Sequence, residues 1–229
     1  LASAVCRHIS GLVGLKWELR GQEHLAKEQA CIIVANHQSS LDILGKNNFV
    51  EKKFLLCITG MFDIWPVMDK CTVVAKKELF YAWPFGLAAW LCGLIFIDRL
   101  NSDKARATIN RATTLIKEKK IKMWVFPEGT RNNTGDILPF KKGAFHVAIA
   151  AQVPVLPVVF SSYYFLDNEN KEFESGNIII TTLPPIETDG LCKNDVGELM
   201  NRTRAIMLEA FTVTSKEVQS AALMKIPSY

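Results

Sequence analysis

Two unbroken apolar runs, Cys31-Ile32-Ile33-Val34-Ala35 and Val155-Leu156-Pro157-Val158-Val159-Phe160, constrain the fold of this chain more than any other feature. Each has the length of a strand and presents no polar residue on either side, so each must be covered on both faces. A sheet with one wet face would show alternation instead. Further strand-length runs, rich in β-branched and aromatic residues, are predicted at Trp17–Leu19, Thr72–Ala75, Leu94–Ile97, Met123–Phe126 and Asn177–Leu183. Segments of helical period separate them. The clearest runs from Ser102, a capping residue, to Lys119, with Ala105, Ile109, Ala112, Leu115 and Ile116 as its apolar stripe, and another spans about Lys193 to Phe211. The pattern predicts an α/β fold, a single domain over 1–229 with a mostly parallel or mixed central sheet flanked by helices.

Composition narrows the function classes. At 229 residues with 49% hydrophobic and 22% charged content the chain is ordinary globular material, which excludes collagen, coiled coil and disorder. A net charge of +4 suits an anionic surface and is too small to mark a nucleic-acid binder. Six cysteines stand singly, with no Cys-x-x-Cys pair, so they read as reduced thiols with no zinc site among them. No stretch resembles a cleaved leader. Leu79 to Ile97 holds no charged residue and approaches the length of a membrane span, but Pro84, Gly86 and Gly93 divide it. A buried helix plus strand is the expectation, with Phe80, Tyr81, Trp83, Phe85 and Trp90 available to a membrane interface.

Polar clusters follow the strands. After Cys31–Ala35 comes Asn36-His37-Gln38-Ser39-Ser40-Leu41-Asp42. On a continuous helix the five-residue step would leave His37 and Asp42 about 140° apart. If His37 lies in the loop and the helix begins at Ser39, the imidazole can fold back so that Asp42 accepts from one ring nitrogen and the other takes a proton. Ser39 and Asp42 also satisfy a plain capping box with His37 as a loop residue, and the two readings are compatible. No Gly-x-Ser-x-Gly elbow and no Cys beside a His is present, so a His/Asp pair would activate a hydroxyl belonging to the substrate.

Met123–Phe126 runs into Pro127-Glu128-Gly129-Thr130-Arg131 and on to Pro139-Phe140-Lys141-Lys142-Gly143. Gly129 permits close backbone approach, Thr130 offers a hydroxyl, and Arg131 carries a planar fork suited to phosphate. An ion pair between Glu128 and Arg131 in a surface turn accounts for the same residues. Asp98-Arg99 supplies another candidate anion clamp, and clusters at the ends of buried strands gather at one sheet edge. No P-loop and no Gly-x-Gly-x-x-Gly is present, so nucleotide hydrolysis and dinucleotide redox chemistry lack support.

In order, Asn36-His37-Gln38-Ser39-Ser40-Leu41-Asp42, Gly93-Leu94-Ile95-Phe96-Ile97-Asp98-Arg99, Phe126-Pro127-Glu128-Gly129-Thr130-Arg131 and Val153-Pro154-Val155-Leu156-Pro157-Val158 resemble the four blocks of the glycerolipid acyltransferases. Leu138-Pro139-Phe140-Lys141-Lys142-Gly143-Ala144-Phe145 resembles the animal 1-acylglycerol-3-phosphate acyltransferases among them. The likeness covers roughly residues 15 to 215. It implies transfer of a fatty acyl group from acyl-CoA to the 2-hydroxyl of lysophosphatidate, forming phosphatidate, at the endoplasmic reticulum membrane. It further implies His37 and Asp42 as the catalytic pair, and Arg99, Glu128, Gly129, Thr130, Arg131 and Lys141 as substrate-binding residues. Acyl-CoA is then a co-substrate, with no resident cofactor, metal or nucleic acid, and the membrane lipid surface is a partner.

The sequence departs from the family pattern at Lys46 to Gly60, which intervenes between the His/Asp block and Met61-Phe62-Asp63-Ile64-Trp65-Pro66. Residues 46–60 read as an insertion, and excising them restores a continuous helical pattern. Rival expectations are a non-catalytic form that binds phospholipid and acyl-CoA, and an acyltransferase with another acceptor such as glycerol 3-phosphate.

Overall fold

The computed structural model describes residues 8, 11–12, 14–38, 67–68, 70–81, 87, 90, 95–97, 113–114, 116–132, 134–167 and 172–224. Asp42, Arg99, the 46–60 segment and most of the helix expected at 102–119 lie outside them, although 113–114 and 116–119 are helical.

The strands are β1 (Leu15–Arg20), β2 (Cys31–Ala35), β3 (Cys71–Lys76), β4 (Ile95–Ile97), β5 (Lys122–Val125), β6 (Val155–Phe160), β7 (Leu166–Asp167), β8 (Glu172–Phe173) and β9 (Gly176–Thr182). β7 and β8 form a small hairpin of their own. The others make one sheet in the order β1-β9-β6-β2-β5-β3-β4, parallel at every junction except β6 with β9. Among the described residues, besides the helical turns at 113–114 and 116–119, the helices are α1 (Gln22–Ala26), α2 (Gly143–Ala151) and α3 (Val196–Leu223). This is the mostly parallel, helix-flanked α/β architecture expected from the apolar runs.

Strand parity splits each unbroken run between two cores. Ile32, Val34, Met123, Val155 and Val159 face α2 and α3, meeting Phe145, Val147, Leu199, Met207 and Phe211. Cys31, Ile33, Ala35, Trp124, Leu156 and Val158 face the other way, toward Leu25 of α1 and toward Tyr163, Phe165 and Leu166. Such two-sided burial explains why alternation is missing from these strands.

Pro157 lies inside β6, where a missing N–H is costly. Its backbone faces the end of β9, where the N–H of Leu183, just past the strand, reaches the Pro157 carbonyl at 2.9 Å. The register there steps by one residue between the Val158–Thr182 pair and the Val155–Ile186 bridge, so the absent donor falls at an irregularity of the ladder.

The last helix runs to Leu223, beyond the Phe211 expected from apolar spacing. Its buried stripe continues through Val218 and through Thr214 and Ser215, two polar residues that hydropathy discounts. Their hydroxyls are satisfied locally: Thr214 donates to the Ala210 carbonyl at 2.8 Å, and Ser215 Oγ accepts the Ser162 N–H at 2.9 Å. Helix α2, also unexpected, is apolar nearly all round and so shows no amphipathic period.

Candidate active site

Because β2 and β5 are adjacent and parallel, the segments leaving their C-terminal ends emerge side by side. One carries His37; the other carries Glu128 to Arg131. The edge of an open parallel sheet is where such a fold gathers ligands.

His37 is held on every side. Its backbone N–H donates to Glu128 Oε1 at 2.7 Å, and its carbonyl accepts the Asn132 N–H at 2.8 Å. Its ring stacks on Phe126, with centroids 4.0 Å apart and planes 17° from parallel. Trp124 lies edge-on beneath Phe126 at 6.1 Å. The residues bracketing His37 extend the sheet with side chains. Asn36 Nδ2 donates to the Phe160 carbonyl at 2.9 Å while its Oδ1 accepts the Phe160 N–H at 2.8 Å. Gln38 Nε2 donates to the carbonyls of Phe160 and Ser161, both at 2.9 Å, and its Oε1 accepts the Tyr163 N–H at 3.2 Å. Asn36 and Gln38 were not singled out as site residues on sequence grounds. The signal they offered is two amides flanking a His directly after a wholly apolar strand.

Arg131 Nε approaches His37 Nε2 at 3.2 Å. A guanidinium has no lone pair, so the arginine donates and the imidazole accepts. His37 is therefore neutral, with its proton on Nδ1. Burial, and after it the Arg131 charge, lower the His37 pKa to about 3.

Glu128 is buried, and its carboxylate spans two amides, with Oε2 accepting the Leu138 N–H at 2.9 Å. Burial raises its pKa, against the lowering effect of the two amide bonds. The carboxylate does not pair with Arg131, as a surface ion pair would require. Instead it ties the His37 segment to the far end of the 128–138 loop. Arg204 of α3 donates to the Ile137 and Leu138 carbonyls and fastens that end to the helix layer, a contact the sequence reading did not anticipate.

Gly129 has φ +72°, and a Cβ there would stand 2.6 Å from Lys141 Nζ. The lysine thus lies across the glycine, anchored by its N–H to the Pro127 carbonyl at 2.8 Å. Thr130 and Lys141 are exposed and Arg131 is half-buried. The structure therefore brings His37, Glu128, Gly129, Thr130, Arg131 and Lys141 to one edge, while Asp42 and Arg99 lie outside the described residues. β4, which precedes Arg99, is parallel to β3 and ends at this same edge. Among the described residues no group of three or more His, Cys, Asp or Glu is placed to hold a metal ion. What the arrangement offers is a neutral imidazole beside a cationic fork.

Comparison with known proteins shows the family. Residues 16–161 match the family model for Acyltransferase. The chain is 41% identical over 211 residues to human 1-acyl-sn-glycerol-3-phosphate acyltransferase alpha, spanning 92% of this chain and 69% of that protein. It is 36% identical to the 1-acyl-sn-glycerol-3-phosphate acyltransferase of Escherichia coli K12, spanning 92% of this chain and 78% of the relative. The crystal structure of PlsC, the 1-acyl-sn-glycerophosphate (LPA) acyltransferase from Thermotoga maritima, superposes with a TM-score of 0.62 over 99% of this chain and 80% of its own, and at 21% identity supports the fold. The chain, with a His and an Arg at the shared edge of two parallel strands, belongs to the acyltransferase family, among the 1-acyl-sn-glycerol-3-phosphate acyltransferases.

Proposed function

We propose that this chain transfers a fatty acyl group from acyl-CoA to the 2-hydroxyl of lysophosphatidate, giving phosphatidate and CoA. The observation that carries the reading is the 3.2 Å approach of Arg131 to His37 Nε2, which puts a proton acceptor and a phosphate-binding fork within one hydrogen bond of each other. In lysophosphatidate the free hydroxyl and the phosphate sit on neighbouring carbons, so a molecule gripped by its phosphate presents that hydroxyl to the imidazole. The free 1-hydroxyl of glycerol 3-phosphate lies a carbon further away and suits the spacing less well.

His37 Nε2 takes the hydroxyl proton as the oxygen attacks the thioester carbonyl. A carbon–oxygen bond forms, the carbon–sulfur bond breaks, and the departing thiolate recovers the proton from His37 as CoA. No acyl-enzyme is needed. In this reading Asp42 accepts a hydrogen bond from His37 Nδ1–H and so keeps the tautomer; Arg131, Arg99 and Lys141 bind phosphate; Gly129 and Thr130 line the approach; Glu128 acts by holding His37 in place.

We place the reaction at the surface of the endoplasmic reticulum membrane. The exposed side chains of Phe80, Tyr81, Leu87 and Trp90 on and beside the β3–β4 connection support lipid contact. No helix among the described residues is long and apolar enough to cross a membrane.

The test is CoA release from a long-chain acyl-CoA with lysophosphatidate or glycerol 3-phosphate, in the wild-type chain and in His37→Ala. Turnover that needs both lysophosphatidate and His37 upholds the reading. Lipid binding without CoA release overturns it and favours a non-catalytic form, with the 46–60 segment as the first candidate cause.

A further inference from the structure

The hydrogen bond from Arg131 occupies the one lone pair through which His37 can act as a base. In this arrangement the site is closed to chemistry in two ways. The Nε2 acceptor is covered, and burial together with the adjacent positive charge makes the imidazole a weak base, far from the matched pKa that efficient proton transfer needs. Among the described residues the ionisable neighbours of the ring do not relieve this, and Asp42, proposed as the partner of Nδ1, lies outside them. Glu128 faces the backbone of His37 with both oxygens committed to amides, and Lys141 is a further cation above Gly129. The stacked Phe126 is neutral.

Resting on the functional reading above, we propose that Arg131 is a latch on His37: it covers Nε2, as its 3.2 Å hydrogen bond shows, until the phosphomonoester of the acceptor draws it off. A phosphate dianion offers the guanidinium a bidentate, charge-assisted site better than a single imidazole nitrogen. Its arrival bares Nε2 and neutralises the cation beside it in one event. The acceptor thus arms the base that acts on it, and water, which carries no phosphate, finds the base latched. Acyl-CoA bound before the acceptor is protected from hydrolysis by the same contact. Arg131 in this role selects for a phosphorylated acceptor beyond simply binding it.

The experiment follows the ring nitrogens of the full chain, labelled with nitrogen-15 histidine, through a pH titration with and without inorganic phosphate. His37→Gln assigns the resonance. Phosphate is expected to raise the His37 pKa by about two units, by neutralising Arg131 and by bringing its own negative charge beside the ring. Arg131→Met, which keeps the unbranched stem and loses the donors and the charge, is expected to titrate about one unit above wild type and to be indifferent to phosphate. It is also expected to release CoA from palmitoyl-CoA without acceptor several-fold faster than wild type while acylating lysophosphatidate more slowly; a merely structural loss would slow both. A His37 titration unmoved by phosphate and by Arg131→Met overturns the latch, even if lysophosphatidate is acylated. Absence of acylation in wild type, with His37 still answering phosphate, overturns the functional reading and leaves the latch standing.

Discussion

Replacing Glu128 by Gln tests whether the buried carboxylate braces His37 or binds substrate. The carboxylate accepts two N–H groups, from His37 at 2.7 Å and Leu138 at 2.9 Å. Glutamine has the same shape, but its carbonyl can serve only one of them, and its NH2 then faces the other donor. One charge-assisted bond, typically about 1.5–3 kcal/mol, is lost, and the remaining bond becomes a neutral one. Relief of the carboxylate's own burial, the cause of its raised pKa, returns part of that. The net expectation is a destabilisation of about 2 kcal/mol. For a chain of this length that is a fall of roughly 4–8 °C in Tm. Because the lost contact holds the backbone of His37, kcat is expected to fall with Tm, measured by thermal unfolding and by CoA release at saturating lysophosphatidate. An unchanged Tm with a raised KM alone would refute the brace and return Glu128 to substrate binding.

Three further outcomes follow from the same geometry. His37 has its pKa depressed from 6.5 to about 3, so the unfolded chain binds one more proton between those values, and stability present above pH 6.5 is lost as pH falls toward 3. Replacing His37 by Gln should flatten the slope of unfolding free energy in that window by up to about 1.4 kcal/mol per pH unit, read from urea midpoints. Gly129→Ala forces a Cβ into the left-handed region and against Lys141, and is expected to cost about 1–2 kcal/mol and to displace that lysine, visible as weaker binding of lysophosphatidate. Lys122 is buried in β5 with no hydrogen-bond partner for its ammonium among the described residues, so Lys122→Met is expected to raise stability by about 1–3 kcal/mol without altering turnover; a lower urea midpoint would disprove this.

Much of the fold could be read from local pattern. β2 and β6 fall where their apolar runs predict, since a strand covered on both faces leaves a signature that needs no context. β5 begins one residue earlier than expected, at Lys122, because pairing with both Cys31 and Cys71 recruits a charged residue that propensity excludes. The far half of α3 has too sparse an apolar stripe to be read from sequence because, beside Val218, its buried positions are Thr214 and Ser215, whose hydroxyls bond within the helix or to a neighbouring loop.

For the site, residue identity and order along the chain were enough to single out His37, Glu128, Gly129, Thr130, Arg131 and Lys141 as a chemical set. Their roles were not contained in it. Glu128 and Arg131 three residues apart suit a local ion pair as well as an anion site, and only the parallel pairing of β2 with β5 separates the two. That pairing brings the carboxylate to the His37 amide, 91 positions away, and the guanidinium to the His37 ring, 94 positions away. Sequence determines which side chains exist and which local periods they favour. The state of His37, a neutral base under an arginine, comes from burial and from a charge supplied by a distant segment, and those are properties of the tertiary structure alone.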